Sequence, residues 1–214
     1  MEAVRAFDTT IQRARALIKA HAKLRGKGPG KRPRFHSDLL RAALVTAVSA
    51  MDAYFHDKIS RNVSRTVKRT APDFPVELVS LLAEDQKANE VVKTFLQISM
   101  RARPLAHVST RVARCLSERS YQDPGKIEQG LKVIGVRDFW TLVSNELNTA
   151  PDELKRQIVR YVKRRHSIVH AGDLGVAKKT GHQVRKISRI FADGCVDAIE
   201  QFIHAADAVI SSQI

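Results

Sequence analysis

The chain has 214 residues, 43% hydrophobic and 28% charged, enough apolar material for a sizeable core. Lys and Arg number 37 against 22 Asp and Glu, a net charge of +15 with a pI near 10.3, so nucleic acid is the first partner to expect, ahead of an anionic membrane surface or an acidic protein. Only Cys115 and Cys195 are present, which excludes a disulfide framework or zinc knuckle; no eighteen-residue apolar run or leader-like segment occurs, so a reduced, soluble, cytoplasmic protein without membrane attachment is expected.

In chain order, Val4, Phe7, Ile11, Ala14, Leu17 and Ile18 recur at helical spacing and predict a helix over 3–25. Gly26 to Arg34 is a loop broken by Gly and Pro; from Lys23 to Arg34 it carries six cations and no anion, and Lys27, Lys31, Arg32 and Arg34 are candidates to touch phosphates. A merely solvated loop has the same composition. Ser37 or Asp38 can cap the next helix, predicted over 38–66, where Leu40, Leu44, Ala47, Met51, Phe55 and Ile59 form an apolar stripe. Ser49, Asp52 and His56 gather on its other side, and Asp52 is a candidate to hold a buried arginine. Shorter helices are expected at 76–83, 87–100, 105–119, around 127–134 and at 139–147, with turns at Pro72–Pro75 and Asp123-Pro124-Gly125. Pro151 opens a further helix that Gly172 closes, and the last helix is predicted over 183–209. No segment alternates with period two long enough to argue a strand, so the expected class is all-α, a single domain over 1–214 without internal repeats.

The chemistry concentrates in Arg160-Tyr-Val-Lys-Arg-Arg165-His166-Ser-Ile-Val-His170-Ala-Gly-Asp173. Leu154, Ile158, Tyr161, Val162, Ile168 and Val169 share one arc of this helix, and Arg165 projects from its middle, where a guanidinium needs an anionic partner or a polar cavity. Four readings fit. One is structural, an anchored arginine with a histidine suiting the helix end. The second is a metal held by His166 and His170, with Asp173 near as a third ligand, although the glutamate of H-E-x-x-H is missing. The third is phosphate binding by Lys163, Arg164 and Arg165 without reaction. The fourth is RNA cleavage, in which imidazole and guanidinium supply base, acid and charge stabilisation with no metal or other cofactor. Five residues at 100° leave Arg165 and His170 about 140° apart, so the spacing points to two copies meeting about a two-fold axis.

Arg165-His166-Ser-Ile-Val-His170 resembles the Arg-x4-6-His signature of the HEPN superfamily, and the Ile-Val-His-x-Gly-Asp run resembles its RiboL-PSP-HEPN group. Leu40 to Asp57, a small-apolar helix with the Asp52-x-Tyr54 pair, is similar as well; residues 38–66 and 151–210 fit as core helices and the middle fits only as generic helix. The resemblance implies a HEPN-like helical bundle with additional helices, usually a homodimer, acting as a metal-independent endoribonuclease in toxin–antitoxin, phage-defence or RNA-processing settings. Carried over by position, Arg165 and His170 would be catalytic, supported by His166 and assisted by Asp52. An antitoxin or a nucleotidyltransferase would be the protein partner. Some members lack the motif and only bind nucleotides or act as scaffolds, so a non-catalytic RNA-binding or partner-binding module is the alternative.

Overall fold

The computed structural model describes residues 2–24, 35–70, 73, 76–83, 88–177 and 181–214. Among them the order is α1 (Glu2–Lys23), α2 (His36–Thr70), α3 (Val76–Ala83), α4 (Ala88–Ser99), α5 (Pro104–Ser117), α6 (Pro124–Val133), α7 (Phe139–Glu146), α8 (Pro151–Ala171), β1 (Leu174–Ala177), β2 (Gly181–Val184) and α9 (Arg189–Gln213). The fold is an all-α bundle with one small antiparallel hairpin.

The axis is α2, 35 residues long, or about 52 Å at the usual helical rise. It is touched by α1, α5, α6, α8 and α9. Ala43, Ala47 and Ala50 are buried on it, and side chains this small let neighbouring backbones approach closely. Phe7, Ile11, Ala14 and Ile18 of α1 and Ile199, Phe202, Ile203 and Ala206 of α9 complete this core. The helix begins at His36, so Ser37 and Asp38, the expected caps, lie inside its first turn and accept hydrogen bonds from Arg41 instead.

The short central helices plug one end of the bundle. Asp123 caps α6 by accepting the N–H groups of Gly125 and Lys126, and Pro124 fills the first helical position, so the expected turn is a helix start. Pro104 likewise opens α5. In α7, Trp140 stacks on Phe202 with ring centroids 5.5 Å apart, while Phe139 meets Phe55 edge-on at 6.1 Å. Gly130 on α6 fits because it has no side chain: a Cβ there would sit 2.8 Å from Ile59 Cδ1 and strike the Tyr121 ring. Gly130→Ala is therefore expected to destabilise the fold by about 1–3 kcal/mol through overpacking. A lowered urea midpoint checks this; an unchanged midpoint contradicts it.

Two expectations are corrected at the C-terminal end. Residues 174–177 and 181–184 pair as strands, with Leu174 opposite Val184 and Gly175 opposite Gln183. The last helix starts at Arg189, not Gln183, because the Ser188 side chain accepts the Phe191 N–H at 3.1 Å and caps it. Val184 and Ile187 share helical phase with Phe191 by coincidence.

Candidate active site at the end of helix α8

Helix α8 is built to end where it does. Pro151 lies in its first turn, where a missing N–H costs nothing, and Asp152 and Glu153 face the positive end of the helix dipole. Leu154, Ile158, Tyr161 and Val162 are buried. Beyond Val162 the apolar arc leaves the core: Arg165 and Ile168 are half-buried and Val169 is 47% exposed. The arginine expected on a core-facing stripe thus stands on a rim. Gly172 and Asp173 both adopt φ 58°, a left-handed pair that glycine accepts freely and aspartate better than most. The Asp173 N–H closes the turn on the Ser167 carbonyl at 2.8 Å.

That turn drives the Asp173 carboxylate inward to zero exposure. Its Oδ2 accepts from Arg41 Nε at 2.8 Å and from Arg164 Nη2 at 2.7 Å. Arg41 is buried and spends its other donors on Ser37 Oγ at 2.8 Å, Asp38 Oδ1 at 3.0 Å and the Arg185 carbonyl at 2.6 Å. The Arg185 N–H returns to the Asp173 carbonyl at 2.8 Å. One carboxylate therefore clamps the end of α8 to the first turn of α2 and to the segment leaving the hairpin. Burial lowers the Arg164 pKa, with Asp173 opposing that shift.

The clamp corrects several expectations. Arg164, expected to grip RNA, is an anchor on Asp173. The carboxylate holding a buried arginine is Asp173, not Asp52. Both Asp52 oxygens are engaged elsewhere, by the Tyr121 N–H at 2.5 Å and Gln122 Nε2 at 2.9 Å, so the polar side of α2 is where the α5–α6 connection docks. With Asp173 taken by two arginines, the metal reading loses its third ligand, and among the described residues no group of three His, Cys, Asp or Glu is disposed to hold an ion. Arg41 was missed, although it interrupts the small apolar run Leu40 to Leu44 just as Arg165 interrupts its own arc. Lys163 is exposed on α8; Lys27, Lys31, Arg32 and Arg34 lie outside the described residues.

Arg165 and His170 meet within one chain. Nη1 lies 3.4 Å from His170 Nε2, because the long arginine side chain spans the roughly 140° between the two positions. The angular reason for requiring a second copy therefore falls. Arginine only donates, so the contact needs an unprotonated Nε2 on His170. Unlike Arg41 and Arg164, Arg165 has no carboxylate partner among the described residues, and its buried Nε has no acceptor. His166 stacks on His170 with ring centroids 5.3 Å apart. Its pKa is lowered from 6.5, first by desolvation, then by Arg165 and His170. In an NMR titration His166 should titrate below an ordinary imidazole, and Arg165→Gln should move its midpoint upward; an unmoved midpoint removes Arg165 as a cause.

Among the described residues no helix is long and apolar enough to cross a membrane. No curated protein and no solved structure matches the chain with significant similarity. The family model described as RiboL-PSP-HEPN matches residues 8–210. The match spans nearly the whole sequence, including α2, α8 and the Arg165–His170 pair, and the chain belongs to the RiboL-PSP-HEPN family.

Proposed function

We propose that the protein is a metal-independent endoribonuclease whose reacting groups are Arg165 and His170. The observation that carries this reading is their contact, 3.4 Å from Nη1 to Nε2, on a rim where the guanidinium has no carboxylate partner among the described residues. A guanidinium beside an imidazole ring nitrogen is arranged to receive a phosphodiester. The incoming 2′-OH takes the place of the Arg165 N–H at His170 Nε2 and gives up its proton there. The 2′-oxygen attacks phosphorus, the guanidinium donates to the non-bridging oxygens as charge builds, and the bond to the 5′-oxygen breaks. His170 returns the proton to that oxygen, leaving a 2′,3′-cyclic phosphate and a 5′-hydroxyl. His166, kept neutral by its lowered pKa, packs the His170 ring into place. Asp52 has no part in these steps.

A homodimer accords with the family and with the apolar surface beside the motif: Leu174 and Val184 face each other across the hairpin, 42% and 55% exposed. We assign a toxin or defence role, held in check by an antitoxin or nucleotidyltransferase partner, on the same family ground. The rival reading, RNA binding without cleavage, rests on the net charge of +15. Incubating the protein with RNA in EDTA and mapping the ends separates the two. Cyclic phosphate ends support the enzyme; uncut RNA that binds in a salt-sensitive way supports the rival.

A further inference from the structure

The exposed face of α8 leading to His170 carries an unusual row. Residues 155–171 contain six Lys and Arg and no Asp or Glu. Arg156, Arg160, Lys163, Ser167 and His170 stand at i, i+4, i+7, i+11 and i+14, which places all five within about 80° of one another. Arg156, Arg160, Lys163 and His170 are exposed, and the three cations have no carboxylate partner among the described residues. Elsewhere on the molecule some cations are paired along their own helices, as in Arg61–Asp57, Lys132–Glu128 and Arg189–Asp193; the α8 row is distinguished by the absence of any acidic residue in its segment.

The row is flanked by surface suited to bases. The Arg160 guanidinium lies 5.0 Å above the half-buried Phe191 ring. A groove of about 460 Å³ runs along Lys155, Arg156, Val159, Arg160 and Lys163. Another of about 470 Å³ lies on the Phe191 side, between Arg164 and Ile187. Cations at helical pitch beside apolar and aromatic walls are what a single strand needs, with its phosphates on one side and its bases stacked on the other. Arg156 and His170 are separated by fourteen residues, or about 21 Å along the axis, room for a few nucleotides.

We propose that Arg156, Arg160 and Lys163 form a track that binds the backbone of single-stranded RNA and leads it to the Arg165–His170 pair. The track extends the function proposed above by naming the substrate as single-stranded and fixing the path by which it enters; its binding role stands apart from cleavage. The test uses a short, fluorescein-labelled single-stranded RNA with 2′-O-methyl groups throughout, which cannot be cut through the 2′-OH. Its affinity is measured by anisotropy across a range of salt for the wild type, for R156Q/R160Q/K163Q, and for R5Q/R13Q/K19Q, which removes the same charge from exposed positions of α1. The track variant should bind at least about tenfold more weakly, with the salt slope reduced by about 2, since each phosphate contact on a single strand contributes about 0.7. The α1 variant should stay near wild type. Equal losses in the two variants, or none in the track variant, would overturn the proposal. Cleavable RNA, run in parallel, reports on the enzyme reading separately: an uncut substrate with an intact track effect refutes cleavage and leaves the track standing.

Discussion

Replacing His170 with alanine is expected to lower RNA cleavage by about 10²- to 10⁴-fold, the usual contribution of a positioned proton-transfer group. The fold should survive, because His170 is exposed and contacts Arg165 and His166 at the surface end of α8. Arg165→Ala should cost about 10²- to 10³-fold as the donor to the phosphate oxygens is lost. Arg165→Lys should restore only part of the rate, since an ammonium keeps the charge without the planar fork. Single-turnover cleavage in EDTA, with melting temperature as the folding control, reads all three. Equal rates for wild type and His170→Ala would remove His170 from the chemistry.

The second large effect concerns stability. Asp173→Ala takes the buried carboxylate shared by Arg41 and Arg164 and leaves buried Arg41 facing the exposed Asp38 as its remaining counter-charge among the described residues. Breaking a buried pair by deleting one partner costs about 3–5 kcal/mol, and alanine at φ 58° adds backbone strain. Asp173→Asn tolerates the same backbone and keeps one acceptor, so its loss should be smaller. Urea unfolding at fixed pH gives both numbers, and a change below about 1 kcal/mol for the alanine variant would contradict the clamp. Cleavage should fall in parallel, because His170 lies three residues before the anchor.

Local signals were legible where one element decides the outcome. Pro151 and Gly172 marked the ends of α8, and the apolar stripe of α2 marked the long central helix. Arg165 and His170 were legible as candidates because both sit on one helix. Pairings between distant segments were not. A buried arginine announces that it needs an anion, but nothing local says that Arg41 will find Asp173, 132 positions away, or that Asp52 will instead receive the backbone at Tyr121. The hairpin escaped notice because its strands are four residues long with glycine in each; Ser188, a ready N-cap, was the signal that the helix begins later. The helical angle fixes only where the two side chains start. Arginine is long enough to cross that angle.

The convergence of two arginines on one Asp173 oxygen also bears on how this region opens. The start of α2, the last turn of α8 and the segment after the hairpin are joined by one connected hydrogen-bond network, so they should come loose as one cooperative unit and not fray independently. In native-state hydrogen exchange the amides of Asp173 and Arg185, both bonded within the clamp, would then exchange with a common opening free energy. The closed fraction of that unit sets the fraction of molecules able to present Arg165 and His170 together. A ligand that bridges the start of α2 and the hairpin segment would raise the proposed activity without touching Arg165 or His170.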